Sequence, residues 1–303
     1  MLSDLIVGLI DGDGRLICSQ PYYEYQYGQR SKEILVRTRG NRLVTILQDD
    51  LGFISYTENR LQLTYILQNN INTSVMQLLG KIAEAVLVRR CRENAQLNHQ
   101  LFMLARRKKA WFATSNKFIA VGTGLKETQR LYPKRYNSTD PQRDIIWLDS
   151  DNIPALMGGS TGMSGIEAGL QVKASLDGYH YIRSDLINNR YEVPIVYFPV
   201  KNDFESIVDK LEKDPQTTIL DPDTGEYHRI KVGIDFVDIR AYDHDAFEEV
   251  KDYYPLVLGL IRDEIDIADL INYSYKKGDG ILKNTLMLSA LEYSNSDQLI
   301  LPN

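Results

Sequence analysis

Residues 6–14 read Ile-Val-Gly-Leu-Ile-Asp-Gly-Asp-Gly, and this stretch decides our prediction of the fold. Ser3 is a residue type that caps helices, and the apolar residues after it are spaced as on one helix face. The glycines after residue 11 accept the left-handed conformation of a helix stop, so we expect the helix to end there. Gly8 and Gly12 would then share one face, where a second helix could approach backbone to backbone. The alternative is a β-hairpin, because Asp-Gly pairs form tight turns readily.

The next eighty residues continue as alternating strands and helices. Residues 15–20 and 32–38 alternate like a strand pair, and residues 43–51 are spaced like a helix. Residues 53–57 and 61–67 read as a second strand pair. A helix follows, capped by Asn72 or Thr73. The predicted order is α-β-β-α-β-β-α.

The motif at residues 6–14 and this element order together resemble the LAGLIDADG homing endonucleases. The resemblance covers about the first 90 residues and implies a four-stranded sheet that docks on double-stranded DNA. It also implies paired Asp13 carboxylates that hold Mg²⁺ or another divalent cation. Residues 258–264 form a poor second copy without the final glycines. A homodimer joined through the helix of Gly8 and Gly12 is therefore the simpler expectation.

The charge distribution favours a polyanionic partner for the middle of the chain. The whole chain has a net charge of −6, but residues 81–135 contain thirteen Lys and Arg against three acids. Residues 201–303 contain eleven Lys and Arg against twenty-two Asp and Glu. Solvated helix faces are the alternative explanation of the basic segment. The side chains that we expect to contact DNA are Arg15, Gln20, Gln26, Arg30, Arg37, Arg39, Gln62, Arg106, Arg107, Lys108 and Lys109.

A second candidate site lies in the C-terminal part, where residues 165–173 alternate strictly between polar and apolar. Glu167, Gln171 and Lys173 share one strand face, and Asp144 opens an earlier apolar strand. This pattern resembles the PD-(D/E)XK nucleases, which implies Asp144, Gln171 and Lys173 as catalytic residues and Asp144 and Glu167 as metal ligands. Glu84 on the preceding helix is a candidate accessory acid. An exposed strand face with ordinary polar residues is the alternative.

The sequence therefore predicts an α+β protein with a LAGLIDADG-like αββαββα domain over residues 1–92 and a mixed α/β domain over residues 93–303. Other predicted strands include residues 111–121, 193–200 and 230–239, and residues 204–211 and 246–273 are predicted helices. The predicted function is a metal-dependent, site-specific endonuclease for double-stranded DNA. The alternatives are a DNA-binding regulator, an RNA-splicing maturase, or a nuclease of PD-(D/E)XK type. The two cysteines and the lack of a signal peptide or a long apolar stretch predict no membrane and a cytoplasmic location, or an organelle or nucleoid that contains the target DNA.

Overall fold

The computed structural model describes residues 6–10, 16–57, 60–65, 68, 70–158, 165–221 and 224–276, with side chains from residue 34 to residue 271 of these. The strands are β1 (Ile6–Ile10), β2 (Leu16–Pro21), β3 (Ile54–Thr57), β4 (Arg60–Leu63), β5 (Ile119–Gly122), β6 (Ile145–Leu148), β7 (Gly169–Ser175), β8 (Ile195–Pro199), β9 (Thr218–Leu220), β10 (Tyr227–Arg229) and β11 (Phe236–Asp238). The helices are α1 (Tyr22–Thr45), α2 (Ile71–Glu93), α3 (Ala95–Arg106), α4 (Phe112–Ser115), α5 (Lys126–Leu131), α6 (Tyr179–Ile187), α7 (Phe204–Lys213), α8 (His244–Ile261) and α9 (Ile267–Lys276). A π-helical turn, Ile46–Asp50, follows α1.

A five-stranded mixed sheet forms the centre of the fold, in the order β11-β8-β7-β6-β5. Strands β5, β6 and β7 are antiparallel neighbours, whereas β7, β8 and β11 run parallel. The parallel pair β7 and β8 needs a crossover, and α6 supplies it. The prediction of a mixed α and β protein is therefore confirmed.

Helices cover both faces of this sheet. Leu170, Val172 and Ala174 of β7 belong to the main hydrophobic core, which also contains the buried residues of α2, α3 and α8. On the other face, Ile195 and Tyr197 of β8 pack with residues of α6 and α7 in a second core. The alternation predicted for residues 165–173 is therefore present from Gly169, where β7 begins. The face with Gln171 lies against a second helical layer and is not an open surface, so the alternative of an exposed strand face is wrong.

The predicted N-terminal helix is wrong over residues 6–10, which form β1 and pair with β2 in an antiparallel hairpin. Ile6, Val7 and Ile10 are β-branched, and such residues lose side-chain freedom in a helix but pack well in a strand. Gly8 lies in this strand opposite Ser19, so it cannot form the predicted helix face of a dimer. Gly12, Asp13 and Arg15 lie outside the described residues.

The strand predicted over residues 32–38 is also wrong, because these residues belong to the long helix α1. Val36, Gly40, Leu43 and Val44 are buried at positions i, i+4, i+7 and i+8, which is helical spacing. A β-carbon on Gly40 would lie 2.8 Å from the carbonyl oxygen of Leu270, so glycine lets α1 and α9 pack closely. Gln26, Arg30, Arg37 and Arg39 therefore lie on a helix. Because β1–β2 and β3–β4 are separate two-stranded sheets, the predicted four-stranded saddle is absent from the described part of the chain.

Two further strand predictions are only partly confirmed. In residues 111–121 the chain forms the short helix α4 before β5 begins at Ile119. In residues 230–239 strand geometry is confined to β11 and one bridge between Val232 and Phe236. Strands β3 and β4 form the pair predicted over residues 53–57 and 61–67, although β4 ends at Leu63, and β8 and α7 lie where a strand and a helix are predicted. The helix predicted over residues 246–273 is divided at residues 262–266 into α8 and α9, and α8 continues through Pro255. The poor second motif at residues 258–264 spans the end of α8.

Helix α2 connects the two parts of the chain that the sequence separates at residue 92. The main hydrophobic core includes residues before this position, such as Leu43 and Leu78, and residues after it, such as Val172 and Val250. Among the described helices, α2 also has the length and composition to cross a membrane, contrary to the sequence-based expectation. However, 61% of its most apolar window is buried inside the protein, as expected of a core helix.

Candidate functional site

Two carboxylates approach one another where α2 passes the start of β6. Glu84 lies on α2, and Asp144 directly precedes β6. The ammonium of Lys81, one helical turn before Glu84, lies 3.0 Å from Glu84 Oε2 and 3.7 Å from Asp144 Oδ1. Glu84 is 1% exposed and Asp144 is 8% exposed. Such buried carboxylates persist only with compensating partners, and Lys81 is shared between the two.

Asp144 is fixed by the strand beside it. Strand β7 continues past the start of β6, so its Val172 backbone N–H has no β6 partner and donates instead to Asp144 Oδ2 at 2.8 Å. The Gln171 side-chain amide donates to the same oxygen. Gln171 Oε1 is buried and has no hydrogen-bond partner among the described residues. A buried amide oxygen without a donor is costly, and a cation is one group that would satisfy it.

Lys173 lies two residues further along the same face of β7. Its ammonium is 3.6 Å from Asp185 Oδ2 and lies over the rings of Tyr181 and Tyr191, at 5.6 and 5.0 Å from their centres. Burial lowers the pKa of Lys173, although Asp185 and Asp144 oppose this shift. Lys173 is therefore a desolvated ammonium near the carboxylates. We call Lys81, Glu84, Asp144, Gln171 and Lys173 the acid–lysine cluster.

Burial and neighbouring charges shift the pKa values of the cluster. Burial raises the pKa of Glu84 to about 7, and the neighbouring Asp144 adds to this rise while Lys81 opposes it. Burial also raises the pKa of Asp144. Burial opposes the charge of Lys81, but the two carboxylates outweigh it and raise the pKa of Lys81. Lys81 and Lys173 together balance the formal charge of the two ionised carboxylates, so a bound cation would have to displace an ammonium from them.

The oxygen atoms of the cluster fit a hard divalent cation. Asp144, Glu84 and the unpaired Oε1 of Gln171 offer carboxylate and amide oxygens, which Mg²⁺ prefers. Within the residues that the structure describes, no group of three or more His, Cys, Asp and Glu side chains is placed to hold a metal ion. The cluster differs from such a group because its third ligand is an amide.

The predicted ligand Glu167 lies elsewhere. Its carboxylate pairs with Arg135 at 2.8 Å and is 37% exposed. The backbone carbonyl of Glu167 accepts a hydrogen bond from Arg143. Glu167 precedes β7, so its side chain does not lie on the strand face of Gln171 and Lys173.

The predicted DNA contacts are scattered. Arg39 pairs with Asp252 at 2.9 Å. Gln62 lines a cavity of about 550 Å³ between β4 and the α8–α9 connection. Arg37 is exposed, while the side chains of Gln20, Gln26 and Arg30 lie outside the described residues.

The basic segment divides into buried and exposed charges. The side chain of Arg107 is 7% exposed and lies 3.1 Å from buried Asp235, and Arg90 pairs with Asp243. Part of the basic middle therefore neutralises part of the acidic C-terminal third. Lys108 and Lys109 are exposed, and Arg106 is half-buried with its Nε donating to the Leu156 carbonyl.

Sequence reasoning missed Lys81 and the surroundings of Lys173. The i, i+3 spacing of Lys81 and Glu84 on a helix was the available signal for the first. Asp185 and Tyr191 come from a helix and a loop beyond β7, and no local pattern predicts their approach.

Comparisons with known proteins identified no relative of this chain. No protein-family model, no curated protein and no solved structure matches this chain.

Proposed function

We propose that this protein is a metal-dependent nuclease that cleaves DNA at the acid–lysine cluster. The observation that carries the proposal is the unpaired Oε1 of Gln171, whose amide is hydrogen-bonded to Asp144. Glu84 belongs to the same cluster because Lys81 contacts both Glu84 and Asp144. Two acids, an amide oxygen and a lysine on adjoining elements are also what the resemblance to PD-(D/E)XK nucleases implies. The alternative cleavage site, with paired Asp13 residues, required a helix that residues 6–10 do not form, and Asp13 itself lies outside the described residues.

The residues of the cluster have separate roles in this proposal. Asp144, Glu84 and Gln171 would hold Mg²⁺ or a similar divalent cation. When bound, such an ion supplies an activated water and charge stabilisation for phosphodiester hydrolysis. Asp144 is held by the Val172 N–H and the Gln171 amide, so its orientation is set before substrate arrives.

Lys173 supplies positive charge to the phosphate as it gains negative charge. Hydrolysis adds the oxygen of water to phosphorus and breaks the bond to the leaving oxygen, which takes up a proton. A desolvated ammonium stabilises the developing charge more strongly than a hydrated one. Asp185 and the two tyrosine rings hold Lys173 in place.

Lys81 occupies the more accessible part of the cluster. Its side chain is 32% exposed, compared with 11% for that of Asp144. A β-carbon on Gly124 would lie 3.4 Å from Lys81 Nζ and 3.6 Å from Glu84 Oε1, so the nearby backbone is close to both groups. We therefore infer that cation and substrate enter past Lys81, whose ammonium moves as the cation binds.

Cleavage of labelled double-stranded and single-stranded DNA tests this proposal. We expect the wild type to cut in Mg²⁺ and not in EDTA. Asp144→Asn keeps the size of the side chain but removes its charge, and it should slow cutting by at least about a hundredfold. Glu167→Gln is the matched control, because it removes a carboxylate paired elsewhere, and it should stay within about twofold.

Two other outcomes would contradict the proposal. If the wild type cuts neither substrate in Mg²⁺ or Mn²⁺, the nuclease proposal is wrong and a binding module remains. If Asp144→Asn cuts like the wild type, the acid–lysine cluster is not the active site. Asp13→Asn then becomes the variant to test.

A further inference from the structure

The segment between α3 and β5 exposes a tryptophan almost completely. Trp111 is 85% exposed, whereas Trp147, the other tryptophan of the chain, is 0% exposed and donates to Asn98. Leaving so large an apolar side chain in water sacrifices the free energy of burying it. The exposure of this indole therefore indicates a binding surface.

The backbone beneath this indole is firmly held. The Trp111 carbonyl accepts hydrogen bonds from the N–H groups of Thr114 and Ser115, at 2.9 and 3.2 Å. Ser115 is fully buried and bonds to His99 at 2.8 Å. On either side of Trp111, Ala110 and Phe118 pack against the main core. The ring thus projects from an ordered backbone.

The charged residues near Trp111 in the sequence are of one sign. No Asp or Glu occurs between Glu93 and Glu127, and Lys108, Lys109 and Lys117 are exposed. None of these three lysines forms an ion pair with any residue in the described part of the chain. Phe112 adds a second ring, which is 42% exposed and packs edge-on against His99. We call Arg106, Lys108, Lys109, Trp111, Phe112 and Lys117 the Trp111 surface.

This combination identifies the chemistry of the partner. Lysines suit phosphates, and a free aromatic ring suits the face of a base, which is open only when the base is unstacked. Protein–protein interfaces are depleted in lysine, so the lysines argue against a protein partner. We propose that the Trp111 surface binds single-stranded DNA, with a base stacked on Trp111 and phosphates on the lysines.

The location also suits the nuclease, and in this respect the inference rests on the proposed function. The Trp111 surface leads into β5, whose first residue, Ile119, pairs with Leu148 at the far end of β6. Asp144 directly precedes the near end of β6 and lies four residues, or roughly 13 Å of strand, before Leu148. A single DNA strand bound at the Trp111 surface would have to extend along β6 to reach the acid–lysine cluster, so a frayed or single-stranded region would be the preferred substrate.

Fluorescence titration in EDTA tests binding without cleavage. The probes are a 15-nucleotide oligothymidine and a blunt duplex of the same length. We expect oligothymidine to quench the exposed component of the tryptophan emission and to bind more tightly than the duplex. Binding should weaken with rising salt, because the lysines release counterions from phosphates.

Variants separate the ring from its surroundings, and fluorescence anisotropy of labelled oligothymidine measures their binding. Trp111→Ala should weaken binding about tenfold, the usual scale for one base–aromatic contact, and Trp111→Phe should keep most of it. Tyr227→Ala is the matched control, because Tyr227 is 47% exposed on β10, and it should bind like the wild type. Since Trp111 is exposed, its replacement should leave thermal stability almost unchanged.

The inference fails if the wild type does not bind oligothymidine, if it binds the duplex equally well, or if Trp111→Ala binds unchanged. A change of oligomeric state in Trp111→Ala with unchanged DNA binding would make the surface a protein interface instead. The titration in EDTA needs no cation, so a wild type that binds oligothymidine but cuts no DNA would keep this inference and refute the proposed nuclease.

Discussion

The acid–lysine cluster and the Trp111 surface lie towards opposite ends of β6 and use charge in opposite ways. In the cluster, Glu84, Asp144 and Lys173 are withdrawn from water and interact within a few ångströms of other charges. At the Trp111 surface, Lys108 and Lys109 remain in water beside an exposed ring. Desolvation shifts pKa values and strengthens electrostatic interactions, which suits chemistry. Hydrated lysines beside an aromatic ring suit binding of a polyanion without chemistry.

The strongest test of this contrast removes the ammonium of Lys173. Lys173→Met should lower kcat about a hundred- to a thousandfold, the usual cost of losing one group that stabilises transition-state charge. The KM for DNA should change little, because binding lies largely at the Trp111 surface. Steady-state cleavage kinetics in Mg²⁺ provide both values. A raised KM with unchanged kcat would assign Lys173 to DNA binding. It would contradict the assignment of chemistry to the acid–lysine cluster and of binding to the Trp111 surface.

The second test removes the ammonium that the two carboxylates share. Lys81→Met leaves Glu84 and Asp144 buried without their common partner, and it should destabilise the protein by about 3 kcal/mol. Urea unfolding with and without Mg²⁺ measures this effect. Because a cation can replace the lost charge, Mg²⁺ should restore more stability to this variant than to the wild type. Equal stabilisation of both proteins by Mg²⁺ would argue against a cation position beside Lys81.

The third test uses pH. The pKa of Glu84 is about 7 in the folded protein against an ordinary value of 4.5, so the folded state binds more protons than the unfolded state between these values. Its contribution to the cation-free stability is therefore full at acidic pH and is lost as pH rises towards 7. Glu84→Gln should remove this dependence. Cation affinity should change in the opposite direction, falling by up to about tenfold for each pH unit below 7.

Thermal unfolding from pH 5 to pH 8 measures the pH dependence of stability, and Mg²⁺ titration over the same range measures the pH dependence of cation affinity. Glu167→Gln serves as the control, since its carboxylate is paired with Arg135 outside the cluster. A wild type and a Glu84→Gln variant with parallel pH profiles would show that Glu84 titrates in its ordinary range.

Some of this arrangement could be predicted from the sequence because it depends on local patterns. The two-residue period of β7 identified Gln171 and Lys173 as one face, and the apolar run after Asp144 identified β6. Antiparallel pairing of these strands then brings Asp144 beside Gln171. The sequence placed Glu84 on a helix before β6, but its burial beside Asp144 depends on tertiary packing that the helical period does not specify.

The N-terminal prediction failed because short windows are ambiguous between the two periods. Residues 32–38 are too short a stretch to distinguish a strand from a helix, but the buried set Val36, Gly40, Leu43 and Val44 shows helical spacing over a longer window. In residues 6–10 the β-branched side chains outweighed the glycine spacing of a familiar motif. The aromatic run at Trp111 resembled a strand although its rings are exposed, because composition does not specify burial.

Calorimetric titration with Mg²⁺ at pH 8 tests the central claim most directly, because it measures the proposed cation site without requiring DNA or turnover. The wild type should bind Mg²⁺, the Asp144→Asn variant should lose this binding, and Glu167→Gln should retain it. If Asp144→Asn binds Mg²⁺ as the wild type does, or if the wild type binds none, the acid–lysine cluster is a structural ion network and not a metal-dependent active site.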